Sequence, residues 1–368
     1  MIYKPFKEIS LPALGMGVMR LSVQSDKEDQ SNDRTKSVDM INCAMANGIN
    51  FFDTAYSYGK DGESEKSLGE LLAKYPRESY ILSTKYIIYA GDGYQSIFEE
   101  QLKRLKTDYI DFYAIHSVTE DTYQRYIDNG CIEYFEEQQK IGRIKYFGFS
   151  SHADIETLTK LIDYRKWDFG LFQFNYYDWL YGIAKQEYNL FITRKIPIIV
   201  MEPARGGRLA SLSQKADDLL KETRPDWSVV SWAFRWVKRF PGVQIVLSGM
   251  DKLEQINENS ALFSDDSNDF NEENEKKLFE ACETFRKEVS VLCTGCMYCL
   301  NDCPAEINIP KMIEIYNFNK TNRPWDLKKA DKIESKGKPA DCTECGICLT
   351  RCPQKIDIKS IIKELNVT

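Results

Sequence analysis

The stretch FFDTAYSYG, Phe51 to Gly59, passes directly from an apolar run into a polar loop. Its apolar start, with Ile49 before it, indicates the end of a buried strand, so Asp53 is expected where that strand leaves the core. Tyr58 follows five positions later. A carboxylate and a phenol beside a core each need a polar partner. Because parallel α/β barrels keep their chemistry at such strand ends, this stretch predicts both a fold and a site.

The sequence around this stretch alternates short apolar, β-branched runs with longer amphipathic segments, from residue 13 to about residue 263. Eight such strand–helix pairs predict βαβ units and a parallel sheet. At roughly 250 residues, they have the size of a closed (β/α)8 barrel. An open, doubly wound sheet is the alternative. A Gly-x-Gly-x-x-Gly motif after the first strand would favour it, but only Gly15-Met16-Gly17 stands there.

The composition indicates a globular protein with a large and a small domain. The 368 residues are 43% hydrophobic and carry a net charge of −7, without the basic face that nucleic-acid binding requires. No apolar run approaches the ~20 residues that span a bilayer, and residues 1–11 lack a signal pattern. We therefore expect a cytoplasmic protein that binds neither nucleic acid nor membranes.

The acidic stretch 263–274 resembles a linker. The predicted domains are a barrel over 1–265, a linker and helix over 266–290, and a cysteine-rich domain over 291–368.

Eight of the eleven cysteines form two copies of C-x2-C-x2-C-x3-C-P, which are offset by 49 residues (352 − 303). In a cytosolic protein, clustered cysteines indicate metal rather than disulfides. In two-cluster ferredoxins, three thiolates of such a motif bind one [4Fe–4S] cluster and the fourth binds the other. The predicted ligands are Cys293, Cys296, Cys299 and Cys352 for the first cluster, and Cys342, Cys345, Cys348 and Cys303 for the second. Zinc knuckles are the alternative, which two full copies with a trailing proline disfavour. The module resembles the α-helical ferredoxins that are fused to larger redox enzymes.

Four polar residues are expected to meet at the carboxyl end of the barrel. They are Asp53 and Tyr58 after the second strand, Lys85 at the end of the third, and His116 at the end of the fourth. Free tyrosine, with a pKa of roughly 10, is a poor acid at neutral pH. The ammonium of Lys85, held by Asp53, would favour the phenolate and lower that pKa. With His116 hydrogen-bonded to a carbonyl oxygen, the set suits proton transfer to a developing alkoxide.

These residues resemble the aldo-keto reductase family over roughly residues 3–263. The segments that carry the resemblance are Asp53-Thr-Ala-Tyr-Ser-Tyr58-Gly59, Ser83-Thr-Lys85, Ala114-Ile-His116-Ser117, Gly148-Phe-Ser150-Ser151, Phe172-Gln173-Phe174-Asn175 and Glu254-Gln255-Ile-Asn257-Glu-Asn259. The resemblance implies hydride transfer from NADPH to an aldehyde or ketone, with Tyr58 as proton donor. It also implies that the cofactor contacts Ser150, Ser151, Gln173, Gln255 and Asn259.

The sequence departs from the family pattern where the cofactor is expected. Met201 stands near the position of the aromatic residue that often stacks on the nicotinamide. Gly249-Met250 replaces the Lys-Ser pair that often holds the 2′-phosphate. NADPH and NADH both remain open, with Arg205 as the nearest candidate cation. Gly206, Gly249 and the N-terminus of the following helix are predicted to form the phosphate cradle.

The loop after the fifth barrel strand is a further departure, since Ser151 stands where the family usually has Asn. His152 could face the same barrel mouth. The simpler interpretation makes it a loop residue before a helix over 154–163, with Ser151 as the N-cap.

Three functions follow from these features. The first is a carbonyl reductase whose clusters are structural or deliver electrons elsewhere. The second adds a flavin, because a hydride carries two electrons and each cluster carries one; the clusters would then exchange electrons with an external ferredoxin. The third is an electron-transfer or docking subunit with a non-catalytic barrel, against which the intact set of four polar residues argues.

Overall fold

The computed structural model describes residues 1–19, 21, 30–91, 93–267, 269–289, 291–320 and 335–367. Contacts divide the chain into two compact units. One comprises Met1–Ala204 with Ala233–Asn271, and the other comprises Arg205–Trp232 with Glu272–Thr368. The segment 205–232 thus interrupts the first unit in sequence and groups with the cysteine-rich unit. The predicted domain limits remain predictions.

The first unit is a closed barrel of eight parallel strands, which confirms the predicted fold. An antiparallel hairpin, β1 (Tyr3–Phe6) with β2 (Ile9–Pro12), precedes the barrel. The barrel strands are β3 (Leu14–Gly17), β4 (Phe51–Asp53), β5 (Ile81–Tyr86), β6 (Ile110–Val118), β7 (Ile144–Ser151), β8 (Gly170–Gln173), β9 (Ile198–Met201) and β10 (Val243–Ser248). Each pairs with its neighbours in chain order, and β10 closes onto β3. All eight carboxyl ends therefore meet at one rim.

Aromatic side chains fill much of the barrel interior. The Phe112 ring lies 5.1 Å from that of Phe51 and 4.9 Å from that of Tyr146. Phe6, from the hairpin, packs edge-on against Tyr146 at 5.0 Å. The hairpin thus adds to the core cluster, although sequence patterning did not predict it.

Helices follow the strands, as the alternating pattern predicts. In the first unit they are Gln30–Ala46, Glu63–Leu72, Tyr94–Leu105, Glu120–Asp128, Cys131–Lys140, Ile155–Tyr164, Tyr176–Tyr181, Ala184–Thr193 and Leu253–Ser264, and Val229–Lys238 crosses between the units in sequence. Glu120–Asp128 and Tyr176–Tyr181 are additional helices, after β6 and β8, where the alternating pattern predicts a single helix between two strands.

The second unit is helical and has a separate apolar core. Its helices are Gln214–Thr223, Glu272–Glu288, Tyr298–Asn301, Ile309–Lys320, Ile347–Arg351 and Ile358–Val367. Ile309–Lys320 and Ile358–Val367 follow the two cysteine motifs at the 49-residue offset and pack together. Their isoleucines, including Ile313 and Ile362, surround the buried thiols. The internal duplication in sequence is therefore a duplication in structure.

No helix within the described ranges is long and apolar enough to cross a membrane.

Candidate active site and cluster-binding module

A buried ion pair lies at the carboxyl rim of the barrel. The Lys85 ammonium donates to Asp53 Oδ2 at 2.6 Å and to the Thr54 carbonyl at 2.7 Å. Ser83 Oγ donates to the other Asp53 oxygen at 2.7 Å. Lys85 is 2% exposed, and burial lowers its pKa while the attraction of Asp53 opposes that shift. The third ammonium donor has no acceptor among the described residues.

Tyr58 and His116 lie against this ion pair. Lys85 Nζ is 5.2 Å from the centre of the Tyr58 ring. The Tyr58 and His116 rings meet edge to face, with centroids 5.5 Å apart and planes at 79°. Ser57 Oγ lies 3.5 Å from His116 Nδ1. The structure therefore brings Asp53, Tyr58, Lys85 and His116 into one cluster at the ends of β4, β5 and β6.

His116 is held as a neutral ring. Burial lowers its pKa well below the ordinary value, and Lys85 and then His152 lower it further. The His116 carbonyl accepts from Tyr126 OH at 2.6 Å, which anchors the strand end. Burial also lowers the pKa of His152 to about 4, against the attraction of Asp178. His152 thus belongs to the electrostatic surroundings of the site, and both imidazoles are neutral near pH 7.

A second buried carboxylate, Glu65, which the sequence did not single out, contacts strand β5 through Thr84. Glu65 accepts from Thr84 Oγ1 at 2.7 Å, from Gln101 Nε2 at 2.6 Å and from Arg104 at 3.0 Å. Gln101 also donates to the Lys85 carbonyl at 3.2 Å. The network therefore stabilises the backbone of β5 at Lys85. A signal was present in the sequence, because Glu65 precedes Leu68 and Leu72 by three and seven positions and so shares their buried helix face.

The predicted cofactor contacts on the fifth to seventh barrel strands lie side by side at the rim. Ser150 Oγ accepts from the Ser117 amide at 2.7 Å. Gln173 and Met201 are partners in the β8–β9 register. Gln173 Nε2 donates to the Asp178 carboxylate. Because a carboxylate only accepts, Gln173 must direct its amide oxygen away from Asp178.

Ser151 does not cap the following helix, contrary to the sequence interpretation. The N-cap of Ile155–Tyr164 is Asp154, whose carboxylate accepts from the Thr157 amide at 2.8 Å. Ser151 Oγ instead accepts from the Ala153 amide at 3.1 Å and stays buried at the end of β7. Asp154 lies three residues after Ser151, directly before the helix, so its carboxylate reaches the first free amide groups of the helix.

The predicted contacts near the last barrel helix also belong to the first unit. A Cβ atom on Gly249 would meet nothing nearer than the Gly17 carbonyl at 4.0 Å, so open space lies beside the backbone there. Gln255 Oε1 accepts from the Asp251 amide at 2.8 Å and orders the turn before the helix. Asn259 is buried, at 4% exposure. The open space fits a group that approaches the backbone closely.

Arg205 and Gly206 lie in the second unit. The Arg205 guanidinium donates to the Leu292 carbonyl at 2.8 Å and to Gln354 Oε1 at 2.6 Å. A Cβ atom on Gly206 would come within 1.6 Å of the Thr294 carbonyl. Both predicted cofactor residues thus contact the cysteine-rich module, and their role with a nicotinamide cofactor remains a prediction.

The eight motif cysteines form two groups. Burial raises the pKa of the Cys299 thiol, and Cys296, Cys293 and Cys352 raise it further. The pKa of the Cys348 thiol is raised by burial and then by Cys342, Cys345 and Cys303. These mutual effects require proximity, so each of the two thiols lies near the other cysteines named with it. The assignment of these cysteines as cluster ligands remains a prediction. In the described ranges, no three metal-ligating side chains converge on a single ion.

The comparisons with known proteins agree with this division. The sequence profile of the aldo/keto reductase family matches residues 13–277, and that of the 4Fe-4S dicluster domain matches residues 292–356. The chain is 26% identical over 288 residues to the uncharacterized oxidoreductase YqkF of Bacillus subtilis, an alignment that covers 68% of this chain and 87% of that relative. It is 30% identical over 158 residues to the methylglyoxal reductase YeaE of Escherichia coli, covering 42% of this chain and 51% of that relative.

Solved structures share the fold of the barrel. An aldo-keto reductase of Bacillus halodurans in its holo form aligns with a TM-score of 0.61 at 23% identity, covering 76% of this chain and 96% of that one. An aldo/keto reductase of Klebsiella pneumoniae in complex with NADP and acetate aligns with a TM-score of 0.60 at 22% identity, covering 76% and 93%. The family profile spans well over half of the chain, and the protein therefore belongs to the aldo/keto reductase family of oxidoreductases and carries a C-terminal 4Fe-4S dicluster domain.

Proposed function

We propose that this protein reduces an aldehyde or ketone to the alcohol with NADPH or NADH, and that Tyr58 gives the proton to the carbonyl oxygen. The observation that carries the proposal is the convergence of Tyr58 and His116 on the buried Asp53–Lys85 pair. Membership of the aldo/keto reductase family supports the class of reaction.

The side chains of the cluster have distinct roles in this proposal. A nicotinamide cofactor held at the rim would supply the hydride for the carbonyl carbon. Tyr58 donates its phenolic proton to the oxygen as the alkoxide develops, and solvent then reprotonates the phenolate. Lys85, held by Asp53, stabilises the negative charge on the Tyr58 oxygen. Neutral His116 donates a hydrogen bond to the substrate oxygen and so orients the carbonyl.

The nicotinamide cofactor would be held along the rim of the barrel. Ser150, Ser151 and Gln173 offer hydroxyl and amide groups for a carboxamide, and the open backbone at Gly249 offers room for a phosphate. NADP is the cofactor in the compared Klebsiella structure, which favours NADPH over NADH. A flavin, the alternative from the sequence, has no support among the compared proteins and is not part of the proposal.

The second unit would hold two [4Fe–4S] clusters on the two predicted cysteine sets. The clusters supply one-electron transfer. We include an external redox protein such as a ferredoxin as their partner, because clusters that carry one electron each exchange electrons with other one-electron carriers. Anaerobic addition of a reduced ferredoxin should bleach the visible absorbance of the clusters, and unchanged absorbance would count against the partner.

A pair of tyrosine variants tests the proposed chemistry. Tyr58→Phe should reduce NADPH oxidation with methylglyoxal, used here as a small carbonyl probe, by about 100-fold or more. The matched control is Tyr56→Phe, because the Tyr56 hydroxyl lies on the same loop but donates to Glu100 at 3.1 Å. If the two variants lose activity equally, or if neither does, the assignment of Tyr58 fails.

A further inference from the structure

The side chain of Arg205 joins two segments of the second unit that are distant in sequence. Its acceptor Leu292 directly precedes Cys293, the first ligand of the proposed first cluster. Its other acceptor, Gln354, follows Cys352, the remote ligand of the same cluster, by two residues. A planar guanidinium can span two acceptors in fixed directions, which a lysine cannot do.

The backbone at Arg205 has an unfavourable conformation that its surroundings maintain. Arg205 has a φ of 47°, in the left-handed region that residues with a Cβ seldom occupy. Such strain persists only where the surroundings determine it. Gly206 follows with a φ of 64° and packs directly on the Thr294 carbonyl, and Arg208 Nε donates to the Cys293 carbonyl at 3.0 Å. The short segment 205–208 is therefore fitted to the first cysteine loop.

The second cysteine set is held differently. Ala305, the counterpart of Gln354 at the 49-residue offset, lies so close to Gly337 that a Cβ there would stand 1.8 Å from the Ala305 carbonyl. The Gly337 amide also donates to the Glu306 carbonyl at 3.2 Å, beside a parallel bridge between Ile307 and Gly337. The spacer between the two motifs thus supplies to the second set the support that Arg205 supplies to the first.

We propose that Arg205 is a positioning residue for the first iron–sulfur cluster, because it ties the segment of the remote ligand Cys352 to the loop that begins at Cys293. The first cluster then depends on a segment inserted between β9 and helix Val229–Lys238 of the reductase sequence. The contacts described above for the second set come from residues around Gly337, within the dicluster module. This inference rests on the proposed ligand sets.

The test is cluster-resolved loss under an iron chelator, with the full-length protein purified anaerobically. Thiol alkylation followed by peptide mapping reports which cysteines have become free. In Arg205→Ala, we expect the set Cys293, Cys296, Cys299 and Cys352 to be alkylated about tenfold or more faster than in the parent, since two hydrogen bonds to a charged group are lost. The set with Cys342 should keep the rate of the parent, and about half of the bound iron should leave early.

Three further variants make the result specific. Gln354→Ala removes the contact from its other end and should reproduce the selective loss. Arg205→Lys keeps the positive charge but cannot contact Leu292 and Gln354 at the same time, so it should also reproduce the selective loss. Lys215→Ala is the matched control, because this cation lies in the same inserted segment, is 80% exposed and pairs with Glu288 at 3.8 Å. This variant should behave as the parent.

The outcomes separate the two levels of inference. A parent protein without two clusters would refute the proposed cofactors themselves. With both clusters present in the parent, equal acceleration of both sets, unchanged loss of both, or parent-like behaviour of Arg205→Lys would each overturn the role of Arg205.

Discussion

Removal of Arg104 should reveal how the barrel stabilises the strand that carries Lys85. Glu65 is 0% exposed and accepts from Arg104 NH1 at 3.0 Å. Arg104→Met deletes the guanidinium, keeps much of the apolar stem, and leaves a buried carboxylate without its cation. Breaking such a pair costs about 3–5 kcal/mol, a large fraction of the ~5–15 kcal/mol by which a domain is stable.

The loss should depend on pH in a direction that the structure fixes. Burial raises the pKa of Glu65, and hydrogen bonds from Thr84, Gln101 and Arg104 oppose the rise. Without Arg104 the rise becomes larger, so the folded variant binds a proton more readily than the unfolded chain. The loss in free energy of unfolding, relative to the parent, should therefore become smaller as pH falls from 7 and larger as pH rises. The double variant Glu65→Gln with Arg104→Met should recover most of the deficit, because no charge remains buried.

The assay is urea unfolding of the barrel, followed by tryptophan fluorescence at several pH values, with carbonyl turnover measured in parallel. Arg143→Met is the matched control, because Arg143 pairs with the half-exposed Glu99 at 2.7 Å and such pairs contribute at most about 1 kcal/mol. The reasoning is refuted if Arg104→Met costs no more than Arg143→Met, or if its cost is independent of pH.

Three further predictions concern protonation and the core. Since burial and Lys85 hold the pKa of His116 well below its ordinary value of 6.5, kcat/KM should show no acid limb near that pH; a limb there would contradict the neutral ring. Between pH 6.5 and pH 4 the parent should lose up to about 3 kcal/mol of stability, because His152 binds a proton in the unfolded chain but stays neutral in the folded one. His152→Asn should remove this loss. Identical pH dependence of urea unfolding in parent and variant would argue against it. Phe112→Ala, at the centre of the aromatic core, should destabilise the barrel by about 3–5 kcal/mol, and an unchanged Tm would show that the cluster does not support the fold.

The sequence predicts the parts of the structure that have strong local patterns. The barrel follows from eight apolar runs, each with a helix after it, and the strand expected to leave the core at Asp53 is β4, which ends at that residue. The order of strands in a barrel then places Lys85 on the strand beside it and His116 on the next strand, without any further information. The paired cysteine motifs are equally local, because their spacing is itself the ligand geometry.

The features that the sequence did not predict depend on contacts between distant residues. The hairpin residues Lys4, Lys7 and Glu8 interrupt the apolar alternation, so only the packing of Phe6 in the barrel core identifies the hairpin. Glu65 has the appearance of a solvated charge until Arg104, nearly 40 residues later, provides its partner. Arg205 was predicted from its proximity in sequence to a phosphate loop, whereas its acceptors lie 87 and 149 residues away.

The most direct test of the central claim is a single-turnover measurement with NADPH that carries deuterium at both C4 positions and a small aldehyde, comparing the parent with Tyr58→Phe. The account predicts that the parent transfers deuterium to the carbonyl carbon of the product alcohol. It also predicts that Tyr58→Phe binds NADPH normally but that its rate of deuterium transfer falls by about 100-fold or more. Deuterium transfer at the parental rate in Tyr58→Phe, or an alcohol product without deuterium in the parent, would contradict it.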